Sequence, residues 1–285
     1  MTTSILELDF GPRARRNARI ASIVAAILFA AIIVYALVLF ARAGGLAEAK
    51  WAPFLSPNVW QFFAGGLEAT FRIALVDAAL SIAIGAVVAL GQVSERPVLR
   101  WLSIVYVECF RGLPTLLLVL FVYFAFPALG INVTGYWSIV LGSAAYNSAV
   151  LSNVFKAGIL SIPRGQVEAS YSIGLSWWET MRLIIAPQAF QRMLPSTVAQ
   201  LIVLFKDSSL GFFIGYEELL RRTQIVGAFS DNLIQSYIVA AVLYFILCFS
   251  LSRLARLLER SNTSSGKKVT VSLETTIVAP VDSLR

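Results

Sequence analysis

Residues 168–195 read EASYSIGLSWWETMRLIIAPQAFQRMLP, a polar and charged stretch in a chain that is otherwise very apolar. Residues 168–173 can form about one and a half helical turns. Gly174 suits the left-handed position that ends a helix. Ser176 and Glu179 then form S-x-x-E, a capping box that begins a second helix. The stretch therefore predicts a helix, a turn and another helix.

The composition indicates an integral membrane protein. Of the 285 residues, 58% are hydrophobic and 14% are charged, whereas soluble domains carry about 25% charged residues. Several apolar runs reach the roughly 20 residues needed to cross a bilayer, and they are too many for one signal peptide. The chain has no histidine, and its two cysteines lie in or beside apolar segments, so we expect no catalytic residues, metal site or disulfide framework.

The apolar runs predict six membrane-spanning helices. They lie at about residues 21–41, 66–91, 101–126, 137–160, 191–215 and 233–254. The first run is almost purely apolar, so we interpret it as a simple anchor. A basic tail over residues 1–20 precedes it, and a tail over residues 257–285, rich in Ser, Thr and Val, is expected to be flexible.

The distribution of basic residues orients these spans. With a cytoplasmic N-terminus, sixteen of the 23 Lys and Arg residues lie in cytoplasmic segments and four lie in outer loops. Cytoplasmic loops of membrane proteins carry such an excess, which also accounts for the net charge of +7 without nucleic-acid binding. Both termini and residues 168–192 are therefore predicted to be cytoplasmic.

The most informative feature inside the spans is the tetrapeptide Lys206-Asp207-Ser208-Ser209. Lys206 follows Pro195 by eleven residues, roughly 16 Å along a helix, which places it near the bilayer midplane. Ionisable groups at that depth cost on the order of 3 kcal/mol each. The Lys–Asp pair either neutralises itself and packs two helices, or binds a zwitterion, with Lys206 attracting a carboxylate and Asp207 an ammonium group. Gly211 and Gly215 would let the helix break beside such a site.

Other polar residues within the spans also leave two interpretations. For Asp77, an interhelical hydrogen bond is favoured over ligand binding. Glu108 and Arg111 are three residues apart and are predicted to pair with each other. Asn147 and Asn153 can either join helices through hydrogen bonds or line a transport path.

No nucleotide-binding loop is present in the sequence. The only Gly-Lys pair is Gly266-Lys267, and Ser261 stands where the G-x-x-x-x-G-K-[ST] pattern requires its first glycine. If transport is driven by ATP, a separate subunit must hydrolyse it.

The spacing E-A-S-x3-G-x9-I-x-A-P over residues 168–187 resembles the signature E-A-A-x3-G-x9-I-x-L-P of ABC importer permeases, with departures at Ser170 and Ala186. The segments ECFRGLP, AYNSAVLSNVFKAGILSIPRGQVEAS and LIVLFKDSSLGFFIGYEELL are similar to corresponding segments of the polar amino-acid family of these permeases. The resemblance covers about residues 62–256. The basic N-terminus and the additional first span are most similar to glutamate-type importers.

The resemblance implies an all-α integral membrane protein with the type I ABC importer permease fold. A five-helix core over residues 62–256 would be joined to an additional span and outer loop over residues 21–61. The expected partners are a second permease subunit, different or identical, two cytoplasmic ATPase subunits, an extracytoplasmic amino-acid-binding protein and membrane lipid. The chain itself would need no cofactor, because the ATPase subunits use the ATP, and it would lie in the plasma (inner) membrane.

The resemblance also implies residue roles. The loop over about residues 163–190 would receive the ATPase subunit through Glu168, Ala169, Ser170 and Gly174. The substrate would be bound by Lys206, Asp207, Ser208 and Ser209, with Asn147 and Asn153 beside the path. Many family members carry a glutamate at the position of Asn153, so its absence disfavours a cationic amino acid.

These expectations describe a permease subunit of an ATP-driven importer for glutamate or another acidic or polar amino acid. Two alternatives stay open. A secondary transporter would use Asp77 or Asp207 as its proton or sodium site, although the chain has no convincing internal repeat. A membrane scaffold would only dock a cytoplasmic partner, and the intramembrane Lys–Asp pair argues against it.

Overall fold

The computed structural model describes residues 12–274, and no strand occurs in that range. The helices in chain order are α1 (Pro12–Arg42), α2 (Glu48–Trp51), α3 (Pro57–Gln92), α4 (Pro97–Arg111), α5 (Thr115–Ala128), α6 (Gly135–Leu160), α7 (Arg164–Ser172), α8 (Trp177–Glu179), α9 (Ala186–Asp207), α10 (Leu219–Phe229) and α11 (Leu233–Glu274). A π-helical segment, Thr180–Ile185, joins α8 to α9, and 3₁₀ helices cover Ala52–Leu55 and Ser208–Ile214. The predicted all-α fold is confirmed.

The six predicted spans fall mainly on helical residues, and the third is interrupted. Among the described residues, four helices are long and apolar enough to cross a membrane, namely Arg16–Arg42, Pro57–Gln92, Trp177–Ile214 and Leu233–Arg253. If the bent pair of α4 and α5 is counted as one span, it makes a fifth. α6 has 26 residues, which is sufficient length, but its polar residues keep it outside this apolar group.

The third predicted span, residues 101–126, is wrong as one continuous helix. α4 ends at Arg111, α5 begins at Thr115, and the two helices are bent by 95°. Pro114 lies in the break, where its ring disfavours a helical conformation at Leu113. The sequence indicated a local weakness here, and the structure turns it into a sharp corner.

α6 forms the centre of the bundle. It packs against α3, α4, α5 and α9. Its closest approach is at Gly142, where an added Cβ would lie 2.6 Å from the backbone of Val119, so α5 can reach α6 only because no side chain intervenes. The apolar part of this contact contains Ile73, Val119, Ile139 and Val140, all of which are buried.

α1 buries none of its membrane-length window against the rest of the chain, in agreement with its interpretation as an anchor. The segment that follows its C-terminal end is held by polar contacts near the start of α11. Lys50 Nζ lies 2.7 Å from Asp231 Oδ2, Asn232 Nδ2 donates to the Lys50 carbonyl over 2.8 Å, and Gln235 Nε2 donates to the Gly45 carbonyl over 2.9 Å. The hydrogen bond from Lys50, together with its positive charge, holds the pKa of Asp231 below its usual value.

The two ends of the chain differ from the expected tails. α1 begins at Pro12 within the predicted basic tail, and α11 continues to Glu274, twenty residues beyond the predicted end of the last span. Residues 257–274 are therefore helical, although the sequence showed no amphipathic pattern there. Residues 1–11 and 275–285 of the expected tails lie outside the described residues.

An ion pair forms on α3, whereas the one predicted on α4 does not. Glu68 and Arg72 on α3 do pair, with 2.7 Å between Oε1 and Nη2. Glu108 and Arg111 on α4 are both exposed, and no ion pair joins them in the part of the chain that the structure describes. The prediction that these two residues satisfy each other is wrong.

Candidate functional site

The stretch over residues 168–195 has the predicted local structure. α7 ends at Ser172, and Gly174 adopts a left-handed conformation with φ of +86°. The backbone N–H and hydroxyl of Ser176 donate to Glu179 Oε2 over 2.8 and 2.7 Å, and the Glu179 N–H donates to Ser176 Oγ. The capping box is confirmed, and with it the helix, turn and second helix.

The second helix contains a feature that the sequence did not reveal. Thr180–Ile185 is π-helical, after which α9 continues with Pro187 in its first turn. A proline ring inside a helix clashes with the carbonyl four residues earlier, here that of Leu183, and a wider π turn relieves such a clash. Met181 and Ile185 of this segment are buried against Ile162, so the segment is packed firmly on the end of α6.

The four predicted coupling residues do not share one environment. Glu168, Ala169 and Gly174 are exposed. Ser170 is buried, donates to the Val167 carbonyl over 2.7 Å and lies 2.9 Å from the Thr180 hydroxyl. Ser170 therefore joins α7 to the π-helical segment and presents no surface to a partner.

Exposed apolar side chains that the sequence analysis did not select accompany the coupling residues. Tyr171 is 45% exposed, Ile173 is 77% exposed and Trp178 is 58% exposed. Such a cluster on a short helix and its turn is typical of a protein-binding surface. Their position in the sequence close to Glu168 could have indicated that they belong to the same surface.

A polar network lies in the middle of the bundle and connects α3, α6 and α9. Asp77 is 1% exposed and accepts hydrogen bonds from Ser81 Oγ, 2.9 Å away, and from Ser143 Oγ, 2.5 Å away. Asn147 Nδ2 donates to Ser143 Oγ over 3.0 Å and to Asp207 Oδ2 over 3.3 Å. The geometry agrees with the interhelical role favoured for Asp77, and it connects two carboxylates through one amide.

Gln200 completes this network, and the sequence analysis missed it. Its Nε2 donates to Asn147 Oδ1 over 2.8 Å. Gln200 lies eight residues after Arg192 and seven before Asp207, so helical spacing places it on roughly the same side of α9. We refer below to six residues as the polar network: Asp77, Ser81, Ser143, Asn147, Gln200 and Asp207.

The structure separates the four residues of the predicted zwitterion site. Asp207 faces Asn147, whereas Lys206 is exposed and lies with Ser209 in a different cavity of about 520 Å³ that also contains Tyr237. No ion pair joins Lys206 to Asp207 within residues 12–274. A self-neutralising pair of Lys206 and Asp207 is therefore absent, and the binding of one zwitterion by both residues stays a prediction.

The two serines of the tetrapeptide are used locally. Ser208 Oγ donates to the Phe205 carbonyl and Ser209 Oγ to the Lys206 carbonyl, each over 2.7 Å. α9 ends at Asp207, a 3₁₀ helix follows, and Gly215 is left-handed with φ of +74°. The helix therefore breaks beyond the tetrapeptide, as the glycines predicted.

Asn153 lies apart from both places. It is half-buried, and its side chain forms no hydrogen bond with another described residue. It lines a cavity of about 520 Å³ together with Arg111, Arg192 and Ser196. Asn147 and Asn153, predicted to lie beside one path, thus face two different environments on α6.

Known proteins with similar sequences define the class of this membrane protein. Residues 81–264 match the family of binding-protein-dependent transport system inner membrane components, and the chain belongs to this family. The match confirms the resemblance to ABC importer permeases. These are transport subunits rather than enzymes, since the ATPase is a separate subunit.

Individual relatives are amino-acid permeases. The chain is 34% identical to the glutamate transport system permease protein GluD of Corynebacterium glutamicum, over 76% of this chain and 81% of that protein. It is 36% identical to the probable glutamine ABC transporter permease protein GlnP of Bacillus subtilis, over 71% and 94%. A solved structure of an amino acid ABC transporter with histidines is 28% identical, with a TM-score of 0.67 over 76% of this chain and 97% of that one.

Proposed function

We propose that this chain is the permease subunit of an ATP-driven importer that carries glutamate or another acidic or polar amino acid across the inner membrane. Relatives named for glutamate support the acidic substrate, and others are named for cystine and glutamine. Asn153 supports the same choice, because no carboxylate stands there to attract a cationic side chain.

The proposed coupling surface is the exposed side of α7 and the following turn. Glu168, Ala169 and Gly174 are accessible there, and Tyr171 and Ile173 provide apolar contact area. A cytoplasmic ATPase subunit would bind this surface. The complete assembly would hold two such ATPase subunits, a second permease subunit that is different from or identical to this chain, and an extracytoplasmic binding protein.

The observation that carries this proposal is the physical continuity between the coupling surface and the polar network. A hydrogen bond joins Ser170 on α7 to Thr180. From Trp177 to Ile214 the chain is continuously helical, although its π and 3₁₀ segments depart from α-helical geometry. Asp207 lies on this path. Movement of α7 by the ATPase subunit would therefore displace Asp207 relative to Asn147 on α6.

The polar network offers a binding site for the amino group of the substrate. Asp207 is half-buried and is contacted by one amide of Asn147, so its carboxylate can accept further hydrogen bonds from an ammonium group. Lys206 and Ser209 line the separate cavity that contains Tyr237, so Lys206 would bind only a carboxylate that enters this cavity. Binding at the network in one state and release in another would provide alternating access.

Reconstitution tests this function. The chain would be copurified with its partner subunits, placed in proteoliposomes containing ATP and supplied with binding protein and radiolabelled L-glutamate. We expect uptake that requires ATP and persists when an uncoupler collapses ion gradients. Uptake that needs no ATPase subunit and stops with the uncoupler would instead identify an ion-coupled secondary transporter.

A further inference from the structure

A groove extends along the face of α6 that α3 and α5 leave uncovered. It is the cavity of about 520 Å³ that contains Asn153, and its floor includes Val150, Ala157 and Ser161. These floor residues cover three turns of α6. Val150, Val154, Ala157 and Met193 make much of the lining apolar, and Asn153, Ser161 and Ser196 are its neutral polar side chains. Ser161 follows α6 directly, at the end that leads to α7, so the groove opens toward the predicted cytoplasmic side.

Two arginines face this groove. Arg111 comes from the last turn of α4, Arg192 comes from α9, and no carboxylate is among the residues that line the cavity. Neither arginine forms an ion pair with any residue whose side chain the structure describes. Arg192 Nη1 donates to the carbonyl of Ser161, which holds the guanidinium at the mouth of the groove. A guanidinium has five N–H donors, so several stay available.

The groove is continuous with the polar network. Arg192, Ser196 and Gln200 follow one another at intervals of four residues on α9, and Gln200 donates to Asn147. Residues at this spacing lie on one face of a helix. Polar residues within membrane helices face the protein interior or a water-filled cavity. The face with Ser196 and Gln200, and with Arg192 at its predicted cytoplasmic end, is therefore the expected wall of a transport path and not of a lipid contact.

We propose that this groove is an anion-selective exit segment of the transport path and that Arg192 is its specificity-determining residue. Arg192 lies fifteen residues before Asp207 on α9, roughly 22 Å along the helix, which is longer than one amino acid. A substrate bound by Arg192 is therefore not bound by Asp207 at the same time, although the groove and the polar network adjoin at Ser196 and Gln200. The fork of the Arg192 guanidinium matches the side-chain carboxylate of an acidic amino acid, and Arg111 across the groove adds a second positive charge. This inference rests on the proposed function.

Equilibrium dialysis tests the inference. The detergent-purified assembly of permease and ATPase subunits, without binding protein, would be dialysed against radiolabelled L-glutamate or L-glutamine, which differ in the charge of the side-chain terminus. Arg192→Gln should weaken glutamate binding about tenfold, because one charge-assisted contact is lost, and should leave glutamine binding unchanged. Arg192→Lys should lie between wild type and Arg192→Gln. Arg100→Gln, at an exposed arginine of α4 outside both the groove and the coupling loop, is the matched control.

The outcomes separate specificity from folding. If Arg192→Gln does not purify with the ATPase subunits, Asn153→Asp introduces a negative charge into the groove with Arg192 in place and should also weaken glutamate binding selectively. The inference is overturned if glutamate and glutamine binding fall equally or if the wild type binds no glutamate. It is also overturned if glutamate binding is unchanged in Arg192→Gln or, where that variant does not assemble, in Asn153→Asp. If the wild-type assembly takes up no amino acid, the proposed function itself fails. If it takes up glutamate while Arg192→Gln binds glutamate as wild type does, only the groove inference fails.

Discussion

Ser170 on α7 and Thr180 at the start of the π-helical segment are joined by a hydrogen bond of 2.9 Å between their hydroxyl groups, and both residues are buried. Because Ser170 also donates to the Val167 carbonyl, Thr180 acts as the donor in this bond. The related permease signature has alanine at the position of Ser170. In this chain the hydroxyl at that position fixes the coupling helix to the segment that leads into the membrane.

Ser170→Ala should lower the stability of the chain by about 1–3 kcal/mol, because the buried Thr180 hydroxyl loses its hydrogen-bond partner. Thermal unfolding of the purified assembly would measure the change. The double variant Ser170→Ala, Thr180→Val removes both hydroxyl groups and should recover much of the loss, because no polar group is left unsatisfied. Additive losses in the double variant would show that the two hydroxyl groups act independently.

Glu168→Lys should abolish ATP-driven uptake and leave membrane insertion intact. Glu168 is exposed on α7, so the charge reversal changes the proposed ATPase-binding surface without disturbing a buried contact. Uptake and copurification of the ATPase subunit would be measured together. Glu95→Lys is the matched control, since Glu95 is an exposed acidic residue in the turn between α3 and α4. Uptake by Glu168→Lys at the wild-type level would contradict the proposed role of Glu168 in coupling.

Asn147→Ala should be far more damaging than Asn153→Ala, although both change an asparagine on α6. Asn147 is fully buried and bonds Ser143, Asp207 and Gln200. Its loss should cost about 1.5–3 kcal/mol for the hydrogen bond to the carboxylate, whereas Asn153 has no side-chain partner among the described residues. Thermal unfolding of the two variants would compare them, and equal destabilisation would contradict the importance of the network.

The sequence could predict the helix, turn and helix around Gly174 because its signals are local. A left-handed glycine and the Ser176–Glu179 capping box depend on neighbouring residues, and both are present in the structure. The break at Pro114 also had a local signal. Its angle of 95° did not, because the angle depends on how α4 and α5 pack against α6.

The separation of Lys206 from Asp207 could not be predicted in this way. Adjacent residues on a helix point about 100° apart, and which of them faces α6 depends on the rotation of α9 within the bundle. Gln200 was missed for the same reason, since its role exists only where α9 meets Asn147. Ser170 occupies a position of the permease signature, but the sequence did not show that its side chain would be buried against Thr180.

Asp231→Asn should make the contact between Lys50 on α2 and the segment before α11 less sensitive to pH. The pKa of Asp231 is lowered by Lys50, so the stabilisation is fully present above the unfolded value of about 3.9 and is lost as the pH falls through the lower folded value. Asparagine tolerates the positive φ of 49° at this position, and Lys50 keeps its bond to the backbone carbonyl of residue 231.

Thermal unfolding of wild type and Asp231→Asn as a function of pH would measure this effect. We expect a small difference at neutral pH that disappears in acid, and a smaller difference at high salt because the pair is exposed. A difference that grows as the pH falls would contradict the assigned direction of the pKa shift.

Asn153→Glu should shift substrate preference from acidic toward cationic amino acids. The new carboxylate would lie in the groove with Arg111 and Arg192, repel a glutamate side chain and offer a partner to the guanidinium of arginine. Competition of unlabelled arginine and glutamate against labelled glutamate uptake would measure the preference. Asn153→Gln is the control, because it adds the same length without charge. An unchanged ratio in Asn153→Glu would show that residue 153 does not contact the substrate, and a shift shared with Asn153→Gln would assign the effect to side-chain size instead of charge.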